Sequence, residues 1–180
     1  RILAALDSAD VRATFFLIGN AIVRNPEEAR AIGNAGHEIG NHSFTHRMMV
    51  GMSSGAIGDE LERTDDEIRA LGYSGPIHFR SPYGKKLIAL PLVLSRTGRR
   101  NIFWDVEPET YPEIARDSAR IVGHVVERTR PGSIILMHVM SRRYEPSLKA
   151  VPQILAELEA RGYRFVTVSE LLAMTNVPRR

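Results

Sequence analysis

The chain has 180 residues, 43% hydrophobic and 25% charged, and its 24 Lys and Arg against 21 Asp and Glu leave a net charge of +3. This is ordinary globular composition at a length that suits one domain, which excludes fibrous and disordered classes. Without cysteine there are no disulfides, thiolate metal ligands or cysteine nucleophile, so a metal would have to be held by histidine and carboxylate. The charge is a weak, scattered field without interleaved aromatics, and nucleic acid is not an expected partner. No apolar run reaches the roughly 18 residues of a membrane-spanning helix.

Ile2, Leu3 and Leu6 predict the end of an amphipathic helix over residues 1–9. Residues 13–18 are a short apolar run closed by Gly19-Asn20, which reads as a buried strand. Asn25-Pro26-Glu27-Glu28 predicts a helix capped by Asn25 with proline in its first position, and Gly36 predicts its end. Residues 38–40 form a brief strand running into Asn41 and His42. A helix follows from about Ser54 to Leu71, with Ile57, Leu61, Ile68 and Leu71 on one side. Strands are predicted at 77–80, 101–105, 133–138 and 164–168. Helices are predicted at 86–97 (distorted by Pro91), 112–129 and 147–161, with Ser169 capping a last one. Strands alternating with helices imply parallel pairing, hence an α/β class, a doubly wound sheet or a barrel, with 1–180 as a single domain.

Four polar clusters fall at the C-terminal ends of predicted strands: His42-Ser43-Phe44-Thr45-His46, Arg80-Ser81-Pro82-Tyr83-Gly84, Asp105-Val106-Glu107-Pro108 and Leu136-Met137-His138. In a parallel α/β fold such ends meet on one rim, so the clusters are read together as a site. His42 and His46, four apart, would share one face of a helical turn; they could hold one ion or be structural. Arg80, ahead of a loop stiffened by Pro82, could grip a carboxylate bidentately or form a structural ion pair. The Tyr83 amide, in a loop tightened by Gly84, could face a developing oxyanion. His138, at the tip of an apolar strand, reads as a general acid or as a histidine hydrogen-bonded into the core. His37 and His124 are expected in surface or satisfied core positions, and His78 is expected to be structural.

In this order the clusters, together with Ala13-Thr14-Phe15-Phe16-Leu17-Ile18-Gly19, Gly36-His37-Glu38-Ile39-Gly40-Asn41 and Trp104, resemble the polysaccharide deacetylase family. These are the chitooligosaccharide and peptidoglycan N-deacetylases with a NodB-type domain, and the resembling stretches extend over most of the chain. The resemblance implies a distorted (β/α) barrel with fewer than eight strands. It implies metal-dependent removal of N-acetyl groups from an acetylated amino-sugar polymer or oligomer, in an extracytoplasmic or cell-envelope setting. His42 and His46 would be two of three protein ligands to a divalent metal, commonly zinc, with cobalt or manganese also suited to two histidines and a carboxylate. Arg80 would hold the catalytic base, the Tyr83 amide would bind the oxyanion, and His138 would protonate the leaving amine. Leu136 would line the pocket for the acetyl methyl, with Pro82 and Tyr111 on the substrate side, Tyr111 as a sugar-facing aromatic.

Two departures bear on this expectation. The family's Asp-Asp strand end, source of the base and the third metal ligand, is not in these residues, and position 1 is Arg. The chain is therefore expected to be an N-terminally incomplete domain without its first strand. Where the family has an Asp-Trp pair, this chain has Thr110-Tyr111, so a carboxylate to tune His138 would have to be Asp105, Glu107 or Glu109. Two other functions share the pattern: an allantoinase- or imidase-like hydrolase of cyclic amides, and a non-catalytic carbohydrate-binding relative.

Overall fold

A computed structural model describes residues 1–85, 88–140 and 142–175. In chain order the described helices are α1 (Ile2–Ser8), α2 (Gly19–Arg24), α3 (Pro26–Asn34), α4 (Ser54–Ala70) and α5 (Ala89–Arg96). They continue with α6 (Pro112–Ala115), α7 (Ser118–Arg128), α8 (Glu145–Ala160) and α9 (Val168–Thr175), and the strands are β1 (Thr14–Leu17) and β2 (Glu38–Asn41). The architecture is mixed α/β and mostly helical. It divides into two compact units, one of residues 13–103 with 167–169, the other of residues 1–12, 104–166 and 170–175.

In the first unit β1 and β2 pair in parallel, Thr14 opposite Glu38 and Leu17 opposite Asn41. The parallel order extends as single pairings, Asn41 to Phe79 and Phe79 to Asn101. The strands predicted at 77–80 and 101–105 shrink to these pairings because side chains take the backbone groups a ladder would use. Arg80 Nε donates to the Ile102 carbonyl at 3.0 Å, and the Ser81 amide donates to Asn101 Oδ1 at 3.0 Å. Helix α4 starts where the Ser53 hydroxyl accepts the Ala56 amide, and it buries Ile57, Leu61 and Ile68. Ile57 and Phe79 are fully buried at the centre of the core with Leu61, Leu90, Val93 and Leu94. Burial of each such side chain contributes roughly 1.5–3 kcal/mol. Helix α3 ends as expected at Gly36, whose φ of +79° is open to glycine at no steric cost. Two expectations are corrected here. Helix α5 starts at Ala89, so Pro91 lies in its first turn, where a missing N–H distorts nothing; Lys86 and Leu87 lie outside the described residues. Helix α2 was not predicted at all.

In the second unit Val106 pairs in parallel with Ile135, and the Leu136 amide donates to the Val106 carbonyl at 2.8 Å. Elsewhere in the predicted strand 133–138, carboxylates take amides that a ladder would use: Asp105 accepts the Ile134 amide, and Glu109 accepts the His138 amide. The continuous helix predicted over 112–129 breaks into α6 and α7. Asp117 leaves the helical backbone (φ −133°, ψ 117°) to accept the Ala119 and Arg120 amides, so it caps α7 instead of continuing α6. Val106, Ile121, Val125, Ala150, Ile154 and Leu158 form this unit's core, with α7 packed on α8. Residues 164–167 form no ladder, and Ser169 sits inside α9. Val168 and Ser169 belong to the first unit, where their amides are taken by the Thr14 hydroxyl of β1 and the Glu38 carboxylate of β2, which cap that helix. Among the described residues no helix is long and apolar enough to cross a membrane.

Candidate functional site

Strand β2 delivers His42 directly after its last residue, Asn41. The His42 Nδ1–H donates to the Arg80 carbonyl at 2.8 Å, and a carbonyl can only accept, so the Nε2 of a neutral His42 carries the lone pair. His46 Nε2 lies 3.2 Å from His42 Nε2. Two nitrogens bound to one tetrahedral zinc at about 2.05 Å would stand about 3.3 Å apart, so the pair already has the separation of two corners of a metal site. Neutral imidazoles suit zinc, cobalt or manganese. Among the described residues no third His, Asp or Glu joins them to make a cluster of three.

The pair does not meet by sharing a helical turn, as spacing suggested. Residues 42–46 are a loop, and the rings converge because Ser43 and His46 both adopt the left-handed backbone, at φ +65° and +58°. Tyr83, at φ +59°, joins them as a third left-handed residue. Such residues persist only where surroundings over-determine them. Here they do. The fully buried Asn41 side chain accepts the Ser43 amide and donates to the Leu61 carbonyl and to Asp65, which Arg99 pairs with. The Gly19 and Asn20 amides of α2 donate to the Ser43 and Phe44 carbonyls at 3.0 and 2.9 Å. From α4, Glu60 Oε2 accepts the Phe44 and Thr45 amides and Oε1 accepts the Thr45 hydroxyl. Asn41, Glu60, Asp65 and Arg99 were not singled out from the sequence.

Arg80 is buried, with its guanidinium 4.2 Å over the Phe16 ring. Ser81 and Asn101 bond reciprocally, and the buried Pro82 starts a one-turn helix through Gly84. The bonds of that turn come from the Gly84 and Lys85 amides, so the turn does not consume the Tyr83 N–H. The Tyr83 ring, 62% exposed, rests 5.0 Å from the His46 ring. A cavity of about 410 Å³ lies at the opposite end of β2, lined by His37, Glu38, Tyr73 and Ser169, and none of His42, His46, Arg80 or Tyr83 lines it.

In the second unit the unanswered question about His138 has a definite answer. Of the three carboxylates left open, Asp105 binds Ser133 and Ile134, and Glu107 binds Trp104 and Thr110. Glu109 is the partner: it accepts His138 Nδ1–H and the His138 amide, and the Ser147 hydroxyl donates to it. Burial pushes the Glu109 carboxyl up, but the hydrogen bonds from the His138 ring, Ser147 and the His138 amide outweigh it. They hold Glu109 below the ordinary glutamate range. With Nδ1 engaged by Glu109, the His138 ring stacks 5.1 Å from Tyr144. Leu136 is half-buried on the same segment, and the half-exposed Tyr111 ring packs 5.1 Å from His124. His37 is a satisfied core residue bonded to the Ala13 amide, and His78 bonds Ser169, as the structural reading expected.

Residues 1–102 match the sequence profile of the family named Polysaccharide deacetylase. A peptidoglycan-N-acetylglucosamine deacetylase of Bacillus cereus is 32% identical over 96% of this chain and 80% of its own length. The solved structure of the peptidoglycan deacetylase PdaC from Bacillus subtilis is 31% identical, with a TM-score of 0.84 over 97% of this chain and 82% of that one. A pseudoenzyme of carbohydrate esterase family 4 from Bacillus anthracis is 30% identical, with a TM-score of 0.85 over 95% of this chain and 59% of that one. The chain spans 64% and 54% of the length of two further relatives. These likenesses cover both units and their motif-bearing loops: the chain belongs to the polysaccharide deacetylase family and has its NodB-type α/β fold.

Proposed function

We propose that this chain carries the working parts of a metal-dependent N-deacetylase acting on an acetylated amino-sugar polymer or oligomer of the peptidoglycan or chitooligosaccharide type. The observation that carries this reading is the 3.2 Å approach of His42 and His46 Nε2, with the His42 tautomer fixed by the Arg80 carbonyl. A divalent ion held by these two imidazoles, zinc above all, would supply Lewis-acid polarisation of the acetyl carbonyl and a more acidic bound water. The base carboxylate and the third metal ligand are not among these residues, and the parts that are present take the other roles. Arg80 would orient that carboxylate, and the Tyr83 amide would donate to the oxyanion as the carbonyl carbon becomes tetrahedral. His138, its Nδ1–H held by Glu109, gives a proton from Nε2 to the departing nitrogen, and the buried anion stabilises the imidazolium beforehand. Leu136 contacts the acetyl methyl, and Pro82 and Tyr111 lie on the sugar side. The cell envelope, where such polymers lie, is the proposed setting.

Family membership alone does not carry activity, since one close structural relative is a pseudoenzyme. The test is acetate release from N-acetylated peptidoglycan fragments and chitooligosaccharides by the full-length protein, before and after chelation and with zinc restored. Release that disappears with the metal and returns with zinc is expected. Activity indifferent to chelation would overturn the metal mechanism, and zinc binding without acetate release would make the chain a carbohydrate-binding relative.

A further inference from the structure

We infer that Glu60 is the positioning residue that presets the His42–His46 pair for its metal, acting through the loop backbone and not through its charge. The inference rests on the metal reading above. The loop between the two histidines carries two left-handed non-glycine residues, Ser43 and His46, each costing on the order of 1–2 kcal/mol relative to ordinary backbone. Left to itself it would relax, and the two imidazoles would part. What prevents this is a two-sided grip on its peptide groups. On one side the amides of α2 hold the Ser43 and Phe44 carbonyls. On the other, one carboxylate takes the Phe44 amide at 2.9 Å, the Thr45 amide at 2.8 Å and the Thr45 hydroxyl at 2.7 Å.

Glu60 is only 8% exposed and forms no ion pair among the described residues. A buried carboxylate without a cation is costly unless hydrogen bonds replace its water, and here those replacements are all groups of the metal loop. Glu60 stands on the buried stripe of α4 between Ile57, Leu61 and Thr64, and the Thr64 hydroxyl donates to the Glu60 carbonyl. Its backbone is therefore fixed on a helix while its side chain fixes the loop. The remaining amides are served by Asn41, for Ser43, and by the Ser43 hydroxyl, for His46. No other side chain accepts more than one donor from this loop among the described residues.

Hydrogen bonding and charge make different predictions for two variants. In Glu60→Gln one oxygen can still accept both amides while the NH₂ group faces the Thr45 oxygen, so the grip survives without the charge. In Glu60→Ala it is lost. The experiment is zinc affinity of the full-length protein by competition titration, alongside imidazole ¹⁵N shifts of the zinc-free protein and the urea midpoint. We expect Glu60→Ala to weaken zinc about 10- to 100-fold, the range for residues that orient metal ligands, with Glu60→Gln losing less than about tenfold. Zinc-free Glu60→Ala should show a His46 ring averaging between tautomers, while Glu60→Gln keeps the parent shifts. Equal losses in both variants would assign the effect to charge and overturn the positioning role, as would parent-like affinity and shifts in Glu60→Ala. If the parent itself does not bind zinc, the metal reading falls, and the zinc-free shifts alone decide whether Glu60 sets the pair. Should Glu60→Ala not fold, Thr45→Val, which removes only the hydroxyl bond, carries the same expectation at smaller size.

Discussion

The loop at His42–His46 and the segment at His138 both present an imidazole, yet they are held in opposite ways. In the first, the Ser43, Phe44 and Thr45 amides and the Ser43 and Phe44 carbonyls are bonded to Asn41, α4 and α2, and the backbone is left-handed at Ser43 and His46. In the second, the His138 side chain is 42% exposed, with its ring and its amide both bonded to the buried Glu109 carboxylate, which is 3% exposed. The difference follows from the chemistry each side is asked to do. Under the proposed function two metal ligands would need a fixed separation, which a rigid backbone supplies at the cost of strain. A proton donor, the role proposed for His138, would need a fixed tautomer and a stabilised cation, and a single anion can supply both.

If that contrast is right, the largest effect comes from breaking the pair. His46→Ala should abolish measurable zinc occupancy and lower acetate release on the order of 10³-fold or more, beyond what loss of an orienting residue costs. Unchanged zinc content would return His42 and His46 to a structural role. On the other side, His138→Ala should lower kcat about 10²–10⁴-fold with zinc content untouched, and Glu109→Gln about 10- to 10²-fold. Glu109 also carries a pH signature. Its folded-state pKa lies below the ordinary range, so its stabilising contribution is complete above that range and is lost as pH falls through the lowered value. The stability gap between parent and Glu109→Gln, read as urea midpoints, should be full at neutral pH and close as the pH falls below the ordinary glutamate range. A gap independent of pH would mean that Glu109 acts by packing alone.

A smaller effect is expected where α2 presses on the metal loop. A Cβ on Gly19 would lie 2.4 Å from the Phe44 ring and 2.8 Å from the Thr64 hydroxyl. Gly19→Ala should cost about 1–3 kcal/mol of stability by overpacking, and it should weaken zinc binding because the displaced ring belongs to the clamped loop. Full stability with weakened zinc, or the reverse, would show that the loop and the core move independently.

The sequence made these candidates legible because a parallel α/β fold puts chemistry at strand ends: His42 directly follows β2, Arg80 follows the Phe79 pairing, and His138 comes shortly after the Ile135 pairing. It did not show how they are held. The four-residue spacing of the histidines reads as a helical turn, and only the left-handed backbone at Ser43 and His46 reveals a loop. Glu60 bonds residues 16 and 15 positions away, which no local pattern encodes. One signal was available: a carboxylate in register with Ile57, Leu61, Thr64 and Ile68 falls on the buried face of α4, where it must have partners. The choice of Glu109 over Asp105 and Glu107 was not legible for a similar reason. It follows from the parallel pairing of Val106 with Ile135, which turns Asp105 to the start of the facing segment and leaves Glu109 for its end. The short helix α2 escaped because Gly19-Asn20 looks like a turn, and its amides are what the loop carbonyls require.

The smallest expected effect is the most discriminating for the strained side. Tyr83 is proposed to act through its amide, while the residue is largely exposed and its ring lies tilted, 5.0 Å from the His46 ring. Replacing it by glycine keeps the amide and removes the ring. It also relieves a left-handed conformation worth about 1–2 kcal/mol, against about 0.5–1 kcal/mol lost to the greater freedom of an unfolded glycine. Tyr83→Gly should therefore leave stability within about 1 kcal/mol of the parent and lower kcat less than about tenfold, with any loss falling more on KM. A kcat loss above about 10²-fold at parent stability would show that the ring itself is required, for example to hold His46 against its partner. The rigidity of the first unit would then extend beyond its backbone to the aromatic face of the pair.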